Sequence, residues 1–289
     1  MTVHDQSNAA PRFSASHEEA LSEISIDEAL RENWLDVWYQ PKIDLRRKCL
    51  AGAEALVRMH HPQAGLLWPE DYVALLDEAG LAKLAEHTLR TALRHWTNFA
   101  EAGFDLRLAI NVPAALLPKL AIKDIVTAQK VETATWPGLI LEVSEDQIVR
   151  DIAVTRKIAE DLKAYRIAIA IDDFGAGYSS LSSLREVPFT ELKIHHSFIK
   201  NCAVDVTNAA ICQTAIDLAH RFGSMAVAEG IDSIADLQAL MVMGCDFGQG
   251  ALVAPPMPKE RFLEALRQHM NRPRAPEQQP AVESTERVA

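Results

Sequence analysis

Five carboxylates, one amide and one amine stand where short apolar runs end. Asn111 follows RLAI, Glu142 follows GLIL, Asp172 and Asp173 follow IAIAI, Lys193 follows TEL, Glu229 follows MAVA, and Glu54 lies just past CLAG. If those runs are strands of one barrel, their ends converge and aim these side chains at a single mouth. Five carboxylates so close stay ionised only when cations neutralise them. An oxygen-only donor set, one amide among carboxylates, selects Mg²⁺, Mn²⁺ or Ca²⁺ over zinc. The adjacent Asp172 and Asp173 suit a bridged pair of ions about 3.5–4 Å apart, an arrangement that drives in-line phosphoester hydrolysis. Singly, each signal has an ordinary explanation: two aspartates in a turn or N-cap, a solvated lysine, an Asn capping the next helix. Their recurrence at the ends of successive strands is what carries the argument. His60-His61 and His195-His196 are expected to point to opposite faces if they lie on strands, which argues against zinc there. Gly175 and Gly177 allow the loop after the aspartates to fold tightly.

The elements that must position these groups alternate. DVWYQPKIDL and LAGAEALVRM read as adjacent strands joined by the charged turn Arg46-Arg47-Lys48, and PEDYVALLDEAG reads as a helix started by Pro and stopped by Gly. A second helix ends near Gly103. From there continuous apolar strands and amphipathic helices follow in turn to PKERFLEALRQHM, a pattern of parallel sheet covered by helices. About eight strands in ~250 residues, without a G-x-G-x-x-G, favour a closed α/β (β/α)8 barrel over a dinucleotide-binding fold. The barrel is expected over residues 21–270, between polar, disordered tails at 1–20 and 271–289.

The composition limits the partners. A formal charge of −11 with no Lys/Arg-rich run leaves no footprint for a DNA or RNA polymer. No apolar run is long enough to span a bilayer, and the N-terminus has neither the basic start nor the apolar centre of a secretory signal. The four cysteines, Cys49, Cys202, Cys212 and Cys245, form no CxxC pair and read as reduced thiols in a cytoplasmic protein.

YQP at 39–41, GAEALVRM at 52–59, LEVSE at 141–145, DDFGAGYSSL at 172–181, LKI at 192–194, AEGID at 228–232 and GCDFGQG at 244–250 together resemble the EAL domain, a family of bacterial cyclic di-GMP phosphodiesterases and related receptors. The resemblance runs in order from about Trp38 to Pro258. It implies a TIM-like barrel with one antiparallel strand, and hydrolysis of cyclic di-GMP to linear pGpG with two Mg²⁺ or Mn²⁺ ions. Position by position it implies metal ligands at Glu54, Asn111, Glu142, Asp172, Asp173 and Glu229. Lys193 matches a lysine that assists the attacking water, and Glu145 a glutamate that supports the loop after the aspartates. Gln40, Arg58, Gln249 and Asp232 match positions on the substrate side. A homodimer and a regulatory protein partner are further implications.

Departures accompany the match. The usual K-x-D is Lys193-Ile194-His195, and E-G-V-E is Glu229-Gly230-Ile231-Asp232. Pro113, Ala176 and Ala251 replace a serine, a threonine and a tyrosine. His195 supplies no negative charge and points to a second function, an EAL domain of weak or no catalysis that acts as a cyclic di-GMP receptor or protein-interaction regulator. An unrelated one-metal barrel hydrolase or aldolase would require the whole motif string to be coincidence.

Overall fold

The computed structural model describes residues 24–129, 136–150, 152–176 and 184–270. The tails expected at 1–20 and 271–289, and Gly177, lie outside the described residues. After helix α1 (Ile26–Arg31), strands β1 (Leu35–Asp44) and β2 (Cys49–His61) form an antiparallel hairpin. Its turn is made at the expected charged residues. Asp44 Oδ1 accepts from the backbone N–H groups of Arg46 (3.0 Å) and Arg47 (2.7 Å), and Lys48 takes a left-handed φ of 54°. A short strand β3 (Gly65–Leu67) pairs with the end of β2.

The helix expected over PEDYVALLDEAG is broken. Helix α2 (Pro69–Tyr72) passes into a 3₁₀ turn at Val73–Leu75, Leu76 is extended, and a new helix α3 (Glu78–Glu101) begins. The reason is local: the Asp77 side chain accepts from Gly80 N at 2.8 Å, so Asp77 is an N-cap and Gly80 belongs to a first turn rather than to a stop.

The rest of the chain alternates: β4 (Arg107–Asn111), α4 (Ile122–Ala128), β5 (Leu139–Ser144), α5 (Glu145–Arg150), α6 (Ile152–Lys163), β6 (Ile167–Phe174), β7 (Glu191–Ile194), α7 (His196–Ile199), α8 (Val206–Arg221), β8 (Met225–Ala228), α9 (Ile234–Met243), β9 (Phe247–Gly248), β10 (Met257–Pro258) and α10 (Lys259–Met270). Strands β2, β4, β5, β6, β7, β8 and β9 are parallel neighbours in that order. β1 closes the ring, antiparallel to both β2 and β9. The result is a closed eight-stranded α/β barrel with one reversed strand, as expected.

Side-chain alternation divides the barrel strands into two sets. Leu108, Ile110, Leu139, Leu141, Ile169, Ile171, Leu192, Ile194, Ala226 and Ala228 join the large core shared with the helices, which includes Trp96 and Phe99 of α3 and Phe262 of α10. Their alternates line the barrel interior. At mid-height Ala109, Ile140 and Ala170 form a separate small apolar cluster. Above it, toward the C-terminal ends of the parallel strands, the interior becomes acidic.

Candidate metal-binding mouth

Lys193 organises the mouth. It is 1% exposed, and its Nζ lies 2.8 Å from Glu142 Oε2, 2.8 Å from Glu229 Oε1, 3.0 Å from Asp172 Oδ1 and 3.7 Å from Glu54 Oε2. These partners come from four other places in the barrel wall: β2, β5, β6 and the residue just past β8. Burial alone would lower the lysine pKa, but its carboxylate neighbours, Glu142 foremost, hold it well above the usual value.

One ammonium does not balance the acids around it. Burial, reinforced by Glu54, pushes the Glu142 pKa well up, and burial pushes Glu229 up to about 8 against the pull of Lys193. Glu54 goes the other way: burial opposes its charge, but Lys193 and the amides of Gln249 and Asn111 outweigh it and lower its pKa. Asn111 Nδ2 donates to Glu54 Oε1 at 2.7 Å, and Gln249 Nε2 donates to Glu54 Oε2 at 2.6 Å and reaches Glu229 Oε1 at 3.5 Å.

The double aspartate depends on a backbone irregularity. On a regular strand neighbouring side chains point to opposite faces. Here the β6–β7 register shifts between Ile171 and Phe174, and Asp173 takes a left-handed φ of 57°. The bulge re-aims the second carboxylate, so that oxygen atoms of Asp172, Asp173 and Glu229 lie within 4.8 Å of one another. Burial and the neighbouring Asp172 raise the Asp173 pKa. Glu145, the first residue of α5, accepts from Gly175 N at 2.9 Å and ties down the turn after the pair.

The donor set fits divalent cations. The cluster is oxygen-rich and carries more carboxylates than its one ammonium balances; burial first, and the neighbouring carboxylates after it, raise the pKa values of Glu142, Glu229 and Asp173.

The remaining expected residues lie at the margin. Arg58 sits four residues after Glu54 on β2. Its guanidinium stacks 4.0 Å from the Trp68 ring centroid and 5.7 Å from that of Trp38, Nη1 donates to Val57 O at 2.7 Å, and its buried Nε has no hydrogen-bond partner among the described residues. Gln40 stands opposite Glu54 in the β1–β2 register and donates to Ala254 O at 3.3 Å. Asp232 is exposed in the segment before α9 and takes no part in the ion pairs around Lys193.

Two further features were not expected from the sequence. Trp68 stacking on Arg58 joins residues from β2 and from the segment after β3, a long-range contact without a motif. The second is the placement of His195 and His196. His60 and His61 do face opposite sides, one exposed and one buried, but His195 and His196 do not lie on a strand, and their ring centroids are 4.0 Å apart. His195 is instead the N-cap of α7: its Nδ1 accepts from Ser197 N at 3.3 Å. The same Nδ1 lies 2.8 Å from Ser197 Oγ, and Nε2 faces Asp173 Oδ1 at 3.9 Å.

Fold and site together define a (β/α)8-type barrel whose C-terminal mouth is an acidic, oxygen-donor cluster built around one buried lysine. The EAL domain matches residues 24–256. The chain belongs to the EAL domain family. It is 36% identical over 242 residues to the bifunctional diguanylate cyclase/cyclic di-GMP phosphodiesterase MucR of Pseudomonas aeruginosa, covering 83% of this chain and 35% of that relative. It is 31% identical over 231 residues to the cyclic di-GMP phosphodiesterase RocR of the same organism, covering 79% of this chain and 59% of RocR. Among solved structures, the PaMucR phosphodiesterase in complex with c-di-GMP is 35% identical and superposes with a TM-score of 0.76 over 84% of this chain and 99% of that one. No helix among the described residues is long and apolar enough to cross a membrane.

Proposed function

We propose that this chain is a cyclic di-GMP phosphodiesterase that opens the cyclic dinucleotide to linear pGpG. The observation that carries the reading is the Lys193 ammonium within 3.0 Å of Glu142, Asp172 and Glu229, in a fold shared with phosphodiesterases of this specificity. Glu54, Asn111, Glu142, Asp172, Asp173 and Glu229 would hold two Mg²⁺ or Mn²⁺ ions. When bound, these ions supply the charge that activates a water and stabilises the leaving oxygen.

The protein's own groups do the positioning. Lys193 Nζ, fixed by its carboxylates, donates toward the attacking water and orients its lone pair at phosphorus. That water adds to phosphorus, the bond from phosphorus to the 3′ oxygen breaks, and the water's proton ends on that oxygen. Arg58 supports a phosphate oxygen: its fork is stacked on Trp68, and its buried Nε has no partner among the described residues. Gln40 and Asp232 serve the sugar and base edges, and Gln249 serves both these edges and Glu54. Glu145 holds the Asp173–Gly175 turn.

The test is direct. Purified protein is incubated with cyclic di-GMP and Mn²⁺ or Mg²⁺, pGpG is followed by chromatography, and binding in Ca²⁺ is measured on the same sample. Product in Mn²⁺ or Mg²⁺ supports the reading; binding without product supports a cyclic di-GMP receptor, the alternative that His195 Nε2 beside Asp173 favours. We extend the same reading to a homodimer and a regulatory protein partner, the former checked by sedimentation velocity.

A further inference from the structure

The barrel interior carries charge at both ends. At the N-terminal ends of the parallel strands, opposite the acidic mouth, a cavity of about 400 Å³ is lined by Lys42, Arg107, Glu191, Ile140, Met225 and Phe247, with Ala51, Thr190 and Gly223 completing its wall. Lys42 and Glu191 are each 4% exposed and form a buried ion pair. Arg107 begins β4, and its guanidinium makes no hydrogen bond among the described residues; its buried Nε is without a partner. Two cations against one carboxylate leave one positive charge in excess, in a chain whose formal charge is −11. Buried donors of this kind cost free energy unless a ligand or ordered water satisfies them.

A close approach of strands sets the two cations side by side across β2. Gly52 stands between Lys42 on β1 and Arg107 on β4 in the sheet register. A Cβ there would lie 2.4 Å from Arg107 O, so only glycine lets β2 and β4 meet. The other side of the cavity is apolar, with Phe247 carrying the Lys42 ammonium 5.5 Å from its ring centroid.

From this geometry we propose a second ligand site at the lower end of the barrel, one that binds a small molecule through a phosphate group. Arg107 supplies a planar fork for two phosphate oxygens, and the free N–H donors of Lys42 add a further contact. Ile140, Met225 and Phe247 face whatever the phosphate is attached to. The site is independent of the reaction at the mouth, from which the layer of Ala109, Ile140 and Ala170 separates it.

The experiment uses the full chain labelled with ¹³C at the isoleucine and methionine methyl groups, titrated in EDTA with inorganic phosphate and, separately, with GMP. The expected result is a saturable shift of the Ile140 and Met225 methyl signals with both probes. In Arg107→Gln the affinity should fall by about tenfold, the worth of one charge-assisted hydrogen bond. Tighter binding of GMP than of phosphate assigns the apolar wall to an organic body, and equal binding assigns the site to the oxyanion alone; both support it. Arg58→Ala, at the opposite end, should leave these shifts and their affinity unchanged. If Arg107→Gln does not fold, Arg107→Lys keeps the charge and loses the fork, and weakened binding is again expected. Absence of methyl shifts at millimolar probe, or an affinity indifferent to Arg107, would mean that the cavity holds water only and would overturn the proposal.

Discussion

Replacing Lys193 with Met tests whether one ammonium holds the acidic mouth together before any metal arrives. At an effective dielectric of ~20, each contact at 2.8 Å is worth roughly 6 kcal/mol of gross attraction. Desolvation of the buried groups returns most of that. Removal of one partner from a buried ion cluster characteristically costs about 3–5 kcal/mol, because the remaining charges are left uncompensated. In a domain of this size that is roughly 6–20 °C in Tm. The pH dependence has a defined sign. Glu229, with a pKa of about 8 in the folded protein, holds its proton to higher pH than an unfolded glutamate near ~4.3. Folding stability is therefore lost as pH rises from about 4.3 to about 8, and the loss should be steeper in Lys193→Met, whose carboxyl groups lack their cation. Thermal unfolding in EDTA should show a large gap between wild type and variant at pH 7.5 and a smaller one at pH 5. Mn²⁺ should close part of the gap at pH 7.5 by occupying the same carboxylates. An unchanged Tm at pH 7.5, or a gap that widens toward pH 5, would refute the account of Lys193 as the charge that balances the mouth.

Three further outcomes follow from the geometry. Glu145→Ala removes the acceptor of Gly175 N; turnover of cyclic di-GMP should fall at least tenfold while stability falls by only about 1 kcal/mol, or about 2–4 °C in Tm, measured by pGpG release and calorimetry. His195→Asp exchanges an imidazole whose Nε2 faces Asp173 for a carboxylate. Mn²⁺ affinity, read by titration calorimetry, and turnover should both rise, and a fall in both would assign His195 a positive role of its own. Arg58→Lys keeps the charge but loses the planar stack on Trp68; KM should rise about tenfold with kcat less affected, and equal loss in Trp68→Ala would tie the effect to the stack.

Much of the mouth was legible because barrel strands write their interior in every second residue. Asn111, Glu142, Asp172 and Lys193 stand on four parallel strands with outward-facing apolar neighbours, and the apolar runs before them located the strand ends. The same alternation places Arg107, two residues before Ala109, and Glu191, two before Lys193, on the interior face at its other end. Apolar runs alone do not mark that end, because Arg107 and Glu191 open their strands and Lys42 stands near the finish of the reversed strand β1. Two neighbours such as Asp172 and Asp173 face one way here through a bulge with a left-handed residue, which composition does not announce. The break at Leu76 was hidden because Asp77 and Gly80 are equally good as the end of one helix and the start of the next. His195 directly follows the strand residues LKI, but a side chain that accepts from the backbone two residues on turns the chain into a short helix instead.

The reversed first strand has a consequence for biosynthesis. β1 emerges early, yet one of its two edges is completed only by β9 and β10, at Phe247–Gly248 and Met257–Pro258. Until the ribosome has released roughly the final barrel segment, an early hairpin waits with an unpaired edge, the kind of template that recruits other chains. Nascent polypeptides stalled before Phe247 should therefore be soluble only when a chaperone covers that edge, and the last strand to be made acts as the latch for one of the first.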